Sequence, residues 1–153
     1  MLNKDLLIPI YRYCAYQDRC TQEVVKKLRE LEATEEEIPN MLVHLEAERF
    51  LDDKRFAHSF ARGKFRYKKW GRLKIRQHMQ QKGLPGYLIQ EAISEEIDSG
   101  EYYGMAYSLM QKKLADIQND APLTQKQKLH RYLSQKGYEW DIIQQVWKDR
   151  DLP

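Results

Sequence analysis

Apolar residues recur every three or four positions along most of this chain of 153 residues. That spacing places them on one face of a helix, so it predicts amphipathic helices. No segment alternates apolar and polar residues as a half-buried strand does, and no Asn-Gly or Asp-Gly hairpin signal occurs. The seven glycines and five prolines lie mostly where helices are expected to begin or end. The pattern therefore predicts an all-α fold.

Capping residues and glycine stops divide the pattern into nine predicted helices. Pro9 opens the first, which runs to Asp18, and Thr21 is expected to cap the second. Gly83 and Gly137, each preceded by lysine, end the fifth and eighth helices because glycine readily adopts the left-handed conformation. The helices from the third to the eighth are expected to begin near these positions: Pro39, Asp52 or Asp53, Arg72, Pro85, Glu101 and Thr124.

The chain repeats itself with a period of about fifty residues. The tripeptide Gln-Lys-Gly at 81–83 recurs at 135–137, which is 135 − 81 = 54 positions later, and apolar residues match at the same offset. The N-terminal third matches more loosely and lacks the Lys-Gly stop. Such a period is typical of repeat arrays, in which each unit completes its core against its neighbour. We predict three tandem three-helix units, 1–51, 52–99 and 100–153, in an elongated, curved array.

Charge is strongly segregated along the sequence. The 37 positions 54–90 hold eleven of the 26 Lys and Arg residues and none of the 23 Asp and Glu residues. The window therefore carries +11 and the rest of the chain 15 − 23 = −8, which sum to the net +3. A block of one sign creates a local positive field that attracts polyanions.

Aromatic residues are interleaved with these charges, at Phe65, Tyr67 and Trp70. Single-stranded nucleic acid offers phosphates to cations and unstacked bases to flat side chains, so the combination favours that ligand. A solvated helix face with core aromatics is the alternative, and Phe56 and Phe60 are assigned to the core. The predicted binding residues are Arg62, Lys64, Arg66, Lys68, Lys69, Trp70, Arg72, Lys74 and Arg76.

Other classes of protein find little support in the sequence. No apolar run is long enough to span a bilayer and no signal peptide is evident, so we expect a cytoplasmic protein. Cys14 and Cys20 are expected to be two buried thiols rather than a disulfide. The acidic pair at 52–53 is explained by helix capping, and the four histidines lack partners at metal-ligand spacing. We therefore expect no catalysis, no metal and no cofactor.

One stretch of the sequence resembles a known family. The run ERFLDDKRFA at 48–57 is similar to the signature of the RecX family of regulatory proteins, and the block at 69–84 resembles the family's next segment. Residues 13–28 fit the family's first repeat, although the acidic run at 35–37 stands where a Lys-Gly is usual. Trp70 is an unusual residue for its loop position in that family. The resemblance covers nearly the whole chain and is strongest in its middle.

The resemblance implies a modulator of the RecA recombinase. Such a protein would bind RecA and its filament on single-stranded DNA, and would inhibit filament extension, ATP hydrolysis, strand exchange and co-protease activity. That places it in homologous recombination and SOS repair, with RecA and single-stranded DNA as partners, weaker contact to duplex DNA, and a monomeric state.

The residues alone leave other functions open. The first alternative is a non-catalytic helical protein that binds nucleic acid without RecA. A helix-turn-helix regulator would need one helix that reads duplex DNA, and no helix groups Asn, Gln and Arg in that way. A metal-dependent nuclease would need further ligands beside the pair at 52–53.

Overall fold

The computed structural model describes residues 2–152. This part of the chain contains nine α-helices joined by short loops, and no strand. In chain order they are α1 (Lys4–Tyr16), α2 (Thr21–Glu30), α3 (Glu37–Ala47), α4 (Asp53–Arg66), α5 (Arg72–Gln81), α6 (Gly86–Glu96), α7 (Ser99–Asp116), α8 (Pro122–Lys136) and α9 (Trp140–Lys148). The predicted all-α fold is confirmed.

Packing divides the chain into two compact units. The first comprises the described chain through Ser59 together with Met79–Ala92, and the second comprises Phe60–His78 together with the chain from Ile93 onward. The proposed division into three units, 1–51, 52–99 and 100–153, stays a prediction.

The core of the first unit includes an apolar cluster built on the inner faces of α1, α2 and α3. Its most deeply buried members are Ile10, Val24, Leu28, Met41 and Leu45. Cys14 and Cys20 are both buried free thiols, and Phe56 is buried as well, as the sequence predicted. Burial raises the pKa of both thiols, that of Cys20 to about 11. Neither thiol is therefore a reactive thiolate near neutral pH.

Helix α1 begins earlier than predicted. Pro9 lies inside the helix rather than at its start, so the predicted bounds of 9–18 are wrong. The Asn3 side chain accepts a hydrogen bond from the backbone N–H of Asp5 at 3.0 Å and so caps the earlier start. Leu6 is buried on the inner face, and this packing stabilises a turn that the missing N–H of proline would weaken.

Two adjacent aspartates at the start of α4, Asp52 and Asp53, accept hydrogen bonds from the starts of two different helices. Asp52 caps α4, since its side chain accepts the backbone N–H of Arg55 at 3.0 Å. Asp53 instead accepts the backbone N–H of Thr21 at 2.8 Å and its hydroxyl at 2.9 Å. Thr21 is thus the first residue of α2 and a donor to Asp53, and its predicted role as the cap is wrong. Both carboxylates have structural partners.

Helices α2, α5 and α8 each end on a residue in the left-handed conformation, as α3 does on Arg49 with φ of 62°. Gly83 and Gly137, the predicted stops, have φ of 78° and 99°, and Glu32 holds the corresponding position after α2 with φ of 67°. Each donates its N–H to the carbonyl three residues earlier at 3.0 Å. In the first repeat, Glu32 therefore occupies the left-handed position that Gly83 and Gly137 hold in the other two. The family resemblance had placed the acidic run at 35–37 at that position. A non-glycine residue in this conformation is strained.

The second unit buries aromatic rings beneath α7, α8 and α9. Tyr102 and Tyr138 are almost fully buried and stack at 5.1 Å between centroids, with Phe65 5.9 Å from Tyr102. Phe65 is therefore a core residue, and its predicted place among the base-facing aromatics is wrong.

Helix α8 begins two residues before Thr124, the predicted cap. Pro122 is its first residue and Ala121 occupies the capping position. Proline suits the first position because a helix leaves that N–H unpaired in any case.

Candidate nucleic-acid interface

Carboxylates from outside the acid-free window pair with at least five of its eleven cations within the described chain. The pairs are Lys54–Glu91 (2.9 Å), Arg55–Asp18 (3.0 Å), Arg62–Glu96 (3.0 Å), Arg72–Glu139 (3.1 Å) and Lys82–Glu23 (3.1 Å). An acid-free run in the sequence is therefore not an acid-free surface. Because pairing offsets the positive field locally, these five cations are the weaker candidates for an anion.

Arg72 is half-buried and its side chain contacts other residues of the same unit. Its guanidinium carbon lies 4.0 Å from the centroid of Tyr102, and its side chain pairs with Glu139. The Tyr102 hydroxyl donates to Glu139 and accepts the backbone N–H of Arg72 at 2.9 Å. Burial, reinforced by the hydrogen bond to Glu139, raises the pKa of Tyr102. Arg72 thus helps to hold the start of α5, and its predicted contact with an anion stays a prediction.

Trp70 is enclosed by its neighbours. Its ring centroid lies 4.5 Å from that of His78 and 6.4 Å from that of the half-buried Phe60. The ammonium groups of Lys64 and Lys74 lie 5.0 and 4.5 Å from the same indole. Cation–π attraction holds an ammonium group over an aromatic face. This geometry indicates that the Trp70 ring helps to position Lys64 and Lys74. The predicted contact of the ring with bases stays a prediction.

Two glycines bring the loop before α5 against the end of α8. A Cβ on Gly71 would lie 2.3 Å from the carbonyl carbon of Gly137, and one on Gly137 would lie 2.4 Å from the Cβ of Lys74. The Gly71 N–H donates to the carbonyl of Lys136 at 2.7 Å. Only residues without a side chain allow this approach. Lys136 is thereby fixed beside the basic loop.

Four lysines converge at this contact, Lys68, Lys69, Lys74 and Lys136, and we call them the basic cluster. The Lys136 ammonium lies 3.5 Å from the carbonyl oxygen of Lys68. Burial, and then the charges of Lys69 and Lys74, lower the pKa of Lys136. Among residues 2–152, none of the four is paired with a carboxylate. A bound anion would relieve their repulsion, so the cluster suits a phosphate.

The basic loop has a rigid support. Lys69 adopts the left-handed conformation, with φ of 60°, and its carbonyl accepts the hydroxyl of Tyr138 at 2.9 Å. Tyr138 is 1% exposed, and its burial raises the pKa of its hydroxyl. The buried tyrosine therefore fixes a strained loop residue and positions the lysine.

The other predicted binding residues differ in exposure. Arg66 is exposed on the last turn of α4, whereas Arg76 on α5 is half-buried and Arg62 is ion-paired. Tyr67, in the loop between those helices, is 83% exposed. Sequence reasoning missed Lys136 because it lies outside the acid-free window. The repeat gave the available signal, since it aligns Lys136 with Lys82.

Within residues 2–152, no helix combines the length and apolar character needed to cross a bilayer.

Two family models match the chain in tandem. Residues 52–93 match the second three-helix domain of RecX, and residues 100–147 match the third.

Curated relatives and solved structures agree with that match. A "Regulatory protein RecX" of Prosthecochloris aestuarii is 30% identical over 134 residues, covering 88% of this chain and 85% of the relative. A protein of the same description from Limosilactobacillus reuteri is 28% identical over 92% of this chain, but this chain spans only 53% of its length. The crystal structure of RecX from Lactobacillus salivarius is 25% identical, covers 95% of this chain and 94% of that one, and superposes with a TM-score of 0.85.

A second solved structure, of regulatory protein RecX, has a TM-score of 0.82 at 26% identity, covering 92% of this chain and 72% of that chain. Two tandem domain matches, a relative aligned over most of both chains and the shared helical repeat lead to one conclusion. The chain belongs to the RecX family.

Proposed function

We propose that this chain is a non-catalytic regulator of the RecA recombinase. It binds RecA and the RecA filament on single-stranded DNA, and it inhibits filament extension, ATP hydrolysis, strand exchange and co-protease activity. The observation that carries the proposal is membership of the RecX family, whose curated members are described as regulatory proteins. RecA enters as the family's expected partner.

The basic cluster supports a direct contact with the DNA of the filament. Four lysines lie on or against one loop, and a single strand presents a phosphate at every nucleotide. Each lysine that neutralises a phosphate releases condensed counterions, which strengthens binding at low salt without any sequence preference. Such a contact suits a regulator that acts on filaments of every sequence.

Inhibition then follows from binding alone. A ligand that binds the filament in one conformation holds it there by its differential affinity, and no bond need be made or broken. An all-helical chain whose two thiols are buried, and whose Asp52 and Asp53 carboxylates accept hydrogen bonds at helix starts, fits that role.

The runner-up is a helical protein that coats nucleic acid without RecA. The basic cluster alone is compatible with it, since phosphate contacts carry no information about a protein partner. The two functions differ in stoichiometry. A filament regulator acts at low ratios to RecA, whereas a coat acts only when it has covered the DNA.

The test is the single-stranded-DNA-dependent ATPase of RecA, with this protein titrated from far below RecA to equal concentration. Inhibition at low ratios is the expected result. Inhibition that begins only when this protein nearly saturates the DNA would indicate a protein that coats nucleic acid without acting on RecA. No inhibition at any ratio would refute the proposal. A variant with Lys68, Lys69 and Lys74 changed to Gln separates the DNA contact from the RecA contact, because it should still bind RecA in the absence of DNA.

A further inference from the structure

The three tryptophans of the second unit differ in their surroundings. Trp70 is enclosed by His78 and two lysines, and the guanidinium of Arg150 lies 3.8 Å from the ring centroid of Trp147. Trp140, the first residue of α9, is 63% exposed. Within the described range, no ring or cation stacks on its indole. Its open face is therefore available to a ligand.

Trp140 forms one wall of a notch of about 400 Å³ between α8 and α9. Two lysines line the same notch, Lys126 from α8 and Lys148 from α9, and neither is paired with a carboxylate among the described residues. Gln144 and Asp141 lie in the same notch and supply donors and acceptors. An aromatic face, two cations and a few polar groups thus meet at one place.

The repeat indicates that the fold does not require this tryptophan. At the offset of 54 positions, Trp140 corresponds to Gly86, the first residue of α6 (140 − 54 = 86). A Cβ added at Gly86 would meet nothing within 4 Å, so this position is open at its first side-chain atom in the second repeat as well. A large ring at an open helix start adds little to packing. The exposure of the Trp140 ring therefore favours a role in binding a ligand.

We propose that this notch binds one base of a single-stranded nucleic acid. The base stacks on the indole of Trp140, while Lys126 and Lys148 contact the phosphates on either side. Gln144 and Asp141 hydrogen-bond to the edge of the base. Stacking on a flat side chain tolerates any base, so the site adds affinity without strict sequence preference.

The notch lies close to the basic cluster along the chain. Lys136 and Trp140 are four residues apart, and a fully extended chain of that length spans at most about 14 Å. A single strand that contacts the cluster can therefore reach the notch within a few nucleotides. The inference goes beyond the proposed function, because binding in the notch requires no RecA.

The experiment compares two labelled probes by fluorescence anisotropy in the absence of RecA. One is an oligothymidylate of about twelve nucleotides, a length within the usual site sizes, and the other is an abasic oligomer of equal length that keeps the phosphates. Stacking of one base should make the wild-type protein bind the oligothymidylate about 5- to 150-fold more tightly than the abasic probe. Trp140→Ala should lose that preference and keep its affinity for the abasic probe.

Three further variants complete the design. Trp140→Phe keeps a flat ring and should retain part of the preference. Lys126→Gln combined with Lys148→Gln should weaken the binding of both probes equally. Leu123→Ala is the matched control, since Leu123 is 68% exposed and lies outside the lining of the notch.

Several outcomes would overturn the proposal. An undiminished preference in Trp140→Ala places the base elsewhere, and its loss in Tyr67→Ala would locate it at that exposed ring. If Trp140→Ala binds both probes normally but inhibits RecA less well, the notch is a protein contact. Failure of RecA inhibition by the wild-type protein, with the base preference intact, would refute the proposed function and leave this inference standing.

Discussion

Removing three lysines of the basic cluster should weaken the binding of single-stranded DNA in a way that depends on salt. The variant changes Lys68, Lys69 and Lys74 to Gln, which keeps each side chain's first methylene groups. None of the three is paired with a carboxylate in the described part of the chain, so no internal ion pair is lost. The Cβ of Lys74, which approaches Gly137, is retained.

Counterion release sets the expected magnitude. Each phosphate contact on a single strand contributes about 0.7 to the slope of log affinity against log salt, so three contacts contribute about 2. The loss is then about 100-fold at 0.1 M salt and about 4-fold at 0.5 M. The measurement is a titration of labelled oligothymidylate, repeated over that range of salt concentrations.

A matched control distinguishes the loss of these particular lysines from the loss of three positive charges anywhere on the protein. Lys4, Lys26 and Lys112 are exposed lysines outside the basic cluster, and changing them to Gln removes the same charge. The control should lose only a small part of the affinity, because these lysines add to the general field of the protein and are not among the predicted phosphate contacts. An unchanged salt slope in the cluster variant, or an equal loss in the control, would refute the assigned role.

The remaining predictions concern single residues. Lys136→Gln should lower the salt slope of DNA binding by about 0.7, measured in the same titration. Glu32→Gly should raise the melting temperature by about 1–4 °C in calorimetry, because relief of left-handed strain exceeds the added entropy of glycine in the unfolded chain. Tyr102→Phe should cost about 1–3 kcal/mol in denaturant unfolding, since the half-buried Glu139 carboxylate and the backbone N–H of Arg72 lose a partner. Cys20 should react with iodoacetamide about 100-fold more slowly at pH 8 than an unperturbed thiol, because its pKa of about 11 lies above the ordinary 9.0 and leaves about 100-fold less thiolate.

Each prediction has a result that would contradict it. A wild-type salt slope in Lys136→Gln would remove that residue from the interface. A lower melting temperature for Glu32→Gly would mean that its side chain contributes more than the strain costs. Unchanged unfolding of Tyr102→Phe would show that water replaces its hydroxyl. Rapid alkylation of Cys20 in the native state would mean that the thiol is accessible or less buried than described.

Local patterns were sufficient to predict most of the helices. The Lys-Gly stops at 82–83 and 136–137 were assigned correctly because a left-handed helix end depends on the glycine itself. The starts at Pro9, Thr21 and Thr124 were wrong for a different reason. Proline and threonine are favourable near helix starts, and tertiary partners such as the Asp53 carboxylate decide the position they occupy.

Some features of the candidate site could likewise be predicted from the sequence, and others could not. The excess of Lys and Arg between 54 and 90 was visible in the sequence, whereas the 83% exposure of Tyr67 came only from the structure. The partners of those cations were not visible, because Arg72 meets Glu139 and Arg62 meets Glu96 across 67 and 34 positions of the chain. The burial of Phe65 was likewise unreadable, since a core aromatic and a base-facing one have the same helical spacing.

The sequence by itself determined the helical class, the repeat and the sign of the charged segment, because each depends on residues that are neighbours in the chain. The tertiary structure decided which of the cations remain available. It paired some of them with distant carboxylates, enclosed Trp70, and brought Lys136 to the basic loop through the contact of Gly71 with Gly137. Charge acts through space and falls off within about a Debye length, so an interface depends on how side chains meet after folding.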